Sequence, residues 1–232
     1  MSLDSCRPPR FLPLAVMVFA LVAVADPAAA QSKPRPRPRP APASRSFSIG
    51  GYGMFGLINF TAVDTFDAIL GQPSGNIYGG GATVGIPLGG LFVDIGAWRF
   101  KQVGERVFIT NREVFHLGIP VTITITPVEL TAGWKFRRRN SRLVPYAGGG
   151  VTLYGYKEES SFSTPAEDTD ERFNGYHMMG GVEYKVMRWL GLGGEAAWTT
   201  IPDAIGTGGV SKVFGDTDLG GASFRAKITI GR

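Results

Sequence analysis

The stretch LGGASFRAKITIGR, residues 219–232, decides how the rest of the chain is read. Ala222, Phe224, Ala226, Ile228 and Ile230 alternate with Ser223, Arg225, Lys227 and Thr229. Successive side chains of a β-strand point to opposite faces, so a strand here has one apolar face and one polar, doubly cationic face. A soluble sheet would bury the first and wet the second. A transmembrane barrel turns the first to lipid and encloses the second.

The same split recurs upstream. Leu91, Val93, Ile95 and Ala97 oppose Asp94; Tyr176, Met178, Val182, Tyr184 and Val186 oppose His177 and Glu183; Leu190, Leu192, Ala196 and Trp198 oppose Glu195. Composition agrees with Gly-rich strands, since 33 of 232 residues are Gly without any triplet repeat, about twice the usual ~7%. The single cysteine, Cys6, excludes a disulfide framework and a Cys-based metal site.

The amino terminus reads as an address. Arg7 and Arg10 precede an apolar run at 11–25, and Ala28, Ala29 and Ala30 supply the small residues of a cleavage site, which predicts a signal peptide over 1–30. A Pro/Arg-rich linker follows at 31–45, where alternating prolines keep the backbone extended and solvated. Its Lys33, Arg35, Arg37, Arg39 and Arg45 account for the whole formal charge of +5, leaving the remainder near neutral. That distribution argues against nucleic acid as a partner. The arm reads as a stiff spacer, with contact to anionic lipid or an envelope polymer as its functional alternative.

The barrel is assigned to 46–232, and the leader, with no later apolar run long enough for a spanning helix, favours the membrane over a soluble sheet. Strands are expected at 46–60, 77–87, 90–101, 115–136, 144–157, 172–186, 189–201 and 218–231, an even number as a barrel with both ends in the periplasm requires. Connections at 88–89 and 187–188 are short, and those at 61–76, 102–114, 158–171 and 202–217 are long. The fourth strand contains Pro127, and its apolar phase flips from Val121, Ile123 and Ile125 to Val128, Leu130, Ala132 and Trp134. A β-bulge at Thr126-Pro127 is the expected cause.

With the leader, the Gly/aromatic strands, Pro145-Tyr146-Ala147-Gly148-Gly149-Gly150 opening an upward strand and the two-faced last strand, the chain resembles the small outer-membrane β-barrels of the OmpA-like and OmpX-like type. The resemblance implies an all-β, eight-stranded antiparallel up-and-down transmembrane barrel in a Gram-negative cell envelope. Outer-membrane lipid and the barrel-insertion machinery are the partners it implies. Such barrels commonly end in an aromatic residue which that machinery reads, and Ile228-Thr229-Ile230-Gly231-Arg232 departs from the pattern.

Eight strands enclose an interior just wide enough for side chains. The inward charges expected are Asp94, Glu129, Lys135, Glu183, Glu195, Arg225 and Lys227, near enough to balance that mutual pairing is cheaper than isolated burial. Such a network favours a largely plugged lumen and a structural or surface-interaction protein. The alternatives are a small porin-like channel, a lipid-modifying barrel enzyme, and a soluble ligand-binding barrel. No catalytic residue, metal ligand or cofactor is assigned. His116 and His177 are the only neutral-pH bases, and Ser160, Ser161 and Glu183 match no nucleophile spacing. The acidic segment 158–171 lacks the spacing of an EF-hand loop.

Overall fold

The structure, a computed structural model, describes residues 47–110, 113–138, 141–160 and 169–231. The expected leader and linker, and Ser161, Glu167 and Asp168 of the acidic segment, lie outside the described residues.

Period-two sequence becomes eight strands: β1 (Ser48–Phe60), β2 (Ser74–Gly85), β3 (Leu91–Thr110), β4 (Glu113–Lys135), β5 (Leu143–Ser160), β6 (Thr169–Lys185), β7 (Leu190–Thr200) and β8 (Gly221–Gly231). Each pairs antiparallel with its neighbours and β8 pairs with β1, closing the barrel. Closure gives every strand a partner on both sides through the body of the barrel, which is the condition for strands to cross hydrocarbon. Short turns define the lower rim. At the upper rim two helices, α1 (Val63–Leu70) and α2 (Gly209–Phe214), occupy the first and last connections.

The outer surface carries the apolar faces. Phe224 and Ile228 are 66% and 54% exposed, whereas Arg225 between them is 4% exposed. Along β4 the outward residues from Thr126 through Val128, Leu130, Ala132 and Trp134 lead to Phe136 just past the strand. That is about 33 Å of chain at ~3.3 Å per residue, or about 25 Å of height at the usual ~40° tilt, the thickness of an outer-membrane hydrocarbon layer. Aromatic side chains border the belt, with Trp134, Phe136, Tyr184 and Trp189 near the lower rim and Phe55, Tyr78, Tyr176 and Trp198 higher up, all exposed. Tiers of this kind sit where headgroups meet hydrocarbon.

The expected bulge at Thr126-Pro127 is absent. Register runs unbroken from Ala97↔Val128 to Phe100↔Ile125, and Pro127 pairs with Tyr154 of β5 without a shift. Only the ladder to β3 lapses, at Trp98 and Arg99, because Pro127 has no N–H to give. Val121, Ile123, Ile125, Pro127, Glu129 and Thr131 therefore all face inward. The hydrophobic phase flips because the interior itself changes, from charged below to apolar above. The one irregularity in this ladder lies higher, between Glu105 and Val107, opposite a β4 segment in which Gly118 takes a left-handed φ of 68°.

The strands also outrun the sequence expectation. Most of 102–114, read as a loop, is strand, so β3 and β4 rise above the belt as a long hairpin. The segment 61–76 likewise contains α1 and the start of β2.

Candidate functional site

Going up the lumen, three layers succeed one another. The lowest is an open mouth of about 180 Å³ lined by Lys135, Arg137, Glu183, Lys185 and Arg188, with Trp189 and the hydroxyl-bearing Ser48, Thr83 and Thr229. Lys135 lies 3.8 Å from Glu183, a loose pair, and its ammonium also stands 5.4 Å from the centre of the Phe92 ring.

The middle layer is a buried charge cluster. Arg225 reaches from β8 to Glu129 on β4, halfway round the barrel, donating two hydrogen bonds of 2.7 Å, one to each carboxylate oxygen. Its Nε donates to Ser223 Oγ at 3.1 Å, and Nη1 also reaches Glu195 at 3.4 Å. Lys227 donates to the other oxygen of Glu195 at 2.9 Å, where Tyr146 donates as well at 3.0 Å. Trp98 Nε1 donates to Glu129 at 2.7 Å. A bidentate Arg–carboxylate pair fixes geometry as well as charge, and with its remaining acceptors filled it becomes a strut across the cylinder.

The structure places all seven charged residues expected in the lumen on the inner face, but it groups them unequally. Glu129, Glu195, Arg225 and Lys227 form one cluster, and Lys135 and Glu183 stand apart nearer the mouth. Asp94 meets no base within ion-pair distance among the described residues; it accepts from Tyr52 at 2.7 Å and from Thr83. Lys227, 3.9 Å above the Tyr52 ring, links this acid to the cluster through the aromatic face.

Tyr52, Trp98 and Tyr146 are lumen aromatics that bond the cluster's carboxylates and Asp94 and that sequence reasoning missed. Two glycines make room for one of them. A Cβ on Gly81 would stand 2.6 Å from the Tyr52 hydroxyl, and one on Gly96 would also collide with it. The unsubstituted backbone of β2 and β3 thus forms the slot through which Tyr52 reaches Asp94, and glycines on the face that carries Asp94 were the available signal.

Above the cluster the lumen turns apolar. Phe60 stacks on Phe66 of α1 with ring centres 4.1 Å apart and meets Phe100 edge-on at 5.1 Å, with Ile58, Ile77, Ile123, Ile125, Ile201 and Leu219 buried around them. Asp216 holds α1 over this core by accepting from the Thr65 N–H at 3.0 Å and its hydroxyl at 2.6 Å, satisfying a donor that the helix start leaves unpaired. Asp218 ties the other side, accepting from the backbone N–H of Ile201 and Gly220.

The polar residues considered for chemistry are dispersed. His177 sits between the hydroxyls of Thr131 and Thr152, one on each ring nitrogen, at 2.7 and 2.8 Å. Exposed His116 pairs with Glu105 at 3.4 Å. Ser160 donates to the Pro120 carbonyl, Glu159 pairs with Lys157, and Glu158 accepts from Tyr156.

No protein-family model matches the chain, and no curated protein matches it in sequence. Among solved structures the fold is similar to that of Neisserial surface protein A, at 13% identity over 79% of this chain and 96% of that one, with a TM-score of 0.50. The outer membrane protein OprG from Pseudomonas aeruginosa matches at 15% identity, covering 80% of this chain and 92% of that one, with a TM-score of 0.48. The attachment invasion locus protein of Yersinia pestis, in complex with the heparin analogue sucrose octasulfate, matches at 10% identity, 80% and 98% coverage, and a TM-score of 0.47. At such identities the likeness is one of fold: the closed eight-stranded barrel of small outer-membrane proteins.

Proposed function

We propose that this chain is an integral outer-membrane protein whose barrel is an anchor with a closed lumen, and whose work is done by its upper connections touching partners at the cell surface. The short-turn rim then faces the periplasm and the α1/α2 rim faces outward. The observation that carries the reading is the cross-lumen strut from Arg225 to Glu129 lying directly beneath the Phe60–Phe66–Phe100 roof. An ion passing up beyond the mouth meets a cluster whose charges are already paired, and above it an apolar layer in which it would lose its hydration. In this reading the lumen charges are structural, and the dispersed histidines and serines carry no catalysis.

Planar-bilayer recording of the refolded protein tests this. The expected record is silent for the wild type. Reproducible conductance steps that disappear on Glu195→Gln or Arg225→Met would instead make the chain a small channel. Membrane residence is tested by heat-modifiable mobility on gels, which a closed barrel shows. Extraction of the protein from envelopes by carbonate or salt alone would reject the membrane assignment.

A further inference from the structure

We infer that the lower rim is a binding surface for anionic phospholipid headgroups, with one lipid phosphate seated in the mouth among Arg137, Lys185 and Arg188. The inference rests on the membrane reading above and adds a ligand class to a site which that reading leaves without one. Of the four cations lining the mouth, Lys135 has Glu183 as its partner, whereas Arg137, Lys185 and Arg188 enter no ion pair among the described residues. Glu183 is also the only acidic side chain among the described residues that line the mouth, while Asp94, just inside it, is engaged by Tyr52 and Thr83. Arg138 and Arg142, on the connection between β4 and β5, are both exposed at the same end.

The bias belongs to this rim alone. The opposite end carries Asp64, Asp67, Glu159, Asp170, Glu171 and Asp203 on its surface.

Depth selects lipid as the occupant. The cations stand at the level of Trp134, Phe136, Tyr184 and Trp189, the tier that marks the membrane interface, and Trp189 itself lines the mouth. At that level the anions at highest local concentration are the phosphodiesters of the adjoining leaflet. A guanidinium fork matches two phosphate oxygens, and Lys185 adds a compact third donor. The hydroxyls of Ser48 and Thr229 offer further donors within the same cavity.

The experiment is native mass spectrometry of the folded, delipidated full chain titrated with phosphatidylglycerol or phosphatidylcholine. It compares wild type, the triple variant Arg137→Gln/Lys185→Gln/Arg188→Gln, and the upper-exterior control Arg99→Gln/Lys101→Gln. Wild type and control are expected to retain phosphatidylglycerol over phosphatidylcholine by about tenfold or more, and the triple variant to fall to within about twofold, as the loss of three interfacial charges requires. Equal retention of the two lipids, or a triple variant that behaves as wild type, overturns the inference. Displacement of phosphatidylglycerol by millimolar inorganic phosphate would assign the mouth to a free anion. Cosedimentation with purified peptidoglycan, lost in the triple variant and unaffected by lipid, would assign it to a polymer. Either result would contradict the lipid site. Heat-modifiable mobility, run on every sample, keeps the outcomes separate: a folded barrel without lipid preference rejects this inference only, and an absent band shift in wild type rejects the barrel reading.

Discussion

Arg225 shows how a single side chain organises the lumen. It is 4% exposed and shared between Glu129 and Glu195, so its removal leaves two carboxylates enclosed with less counter-charge than they need. Arg225→Met is expected to cost about 3–5 kcal/mol, the usual penalty for breaking a buried pair from one side. Adding Glu129→Gln should return part of that loss, and urea unfolding in lipid vesicles measures both. Gly96 offers a finer test. The atom its methyl would strike is the Tyr52 hydroxyl, so Gly96→Ala should destabilise the wild type by about 1–3 kcal/mol. In a Tyr52→Phe background, where the hydroxyl is gone, the same substitution should cost clearly less. A double-mutant cycle with no coupling would contradict the slot. The inward direction of Arg225 was legible because a period of two needs only its neighbours. The role of Tyr52 was not, because an aromatic in a Gly-rich strand reads equally well as a lipid-facing belt residue.

At the scale of elements, β4 is the instructive case. The flip from Val121, Ile123 and Ile125 to Val128, Leu130 and Ala132 is plain in the sequence, but two causes produce it: a backbone that slips by one residue, or an interior that changes character. Pattern alone carries no mark of where the roof begins. NMR contacts should appear for both Ala97/Val128 and Phe100/Ile125, the pairs on either side of Pro127, and loss of one pair with a one-residue offset would restore the bulge. Helix α1 escaped notice for a related reason, since eight residues inside a connection give a weak period, although Val63, Phe66 and Leu70 have helical spacing and Gly71 caps the end with a φ of 73°. Its weight lies in Phe66. Phe66→Ala should cost about 3–5 kcal/mol as the roof loses its stacked ring. Hydrogen exchange in α1 should quicken while β7 and β8 remain protected.

For the whole molecule, strand number, closure and the polarity of each face follow from alternation in short segments, which is why they could be read without knowing the interior. The function proposed above depends on what the two rims meet, one basic and the other rich in acids, and binding experiments on intact cells test the outer one. The central claim is that apolar side chains face lipid while charge is held inside. A spin-label scan along β8, with Cys6 replaced and single cysteines at each position from 222 to 230 in the vesicle-inserted protein, measures this directly. Accessibility to dissolved oxygen should peak at 222, 224, 226, 228 and 230 and fall at 223, 225, 227 and 229. The opposite phase, or a flat profile that responds equally to a water-soluble relaxant, would contradict the account.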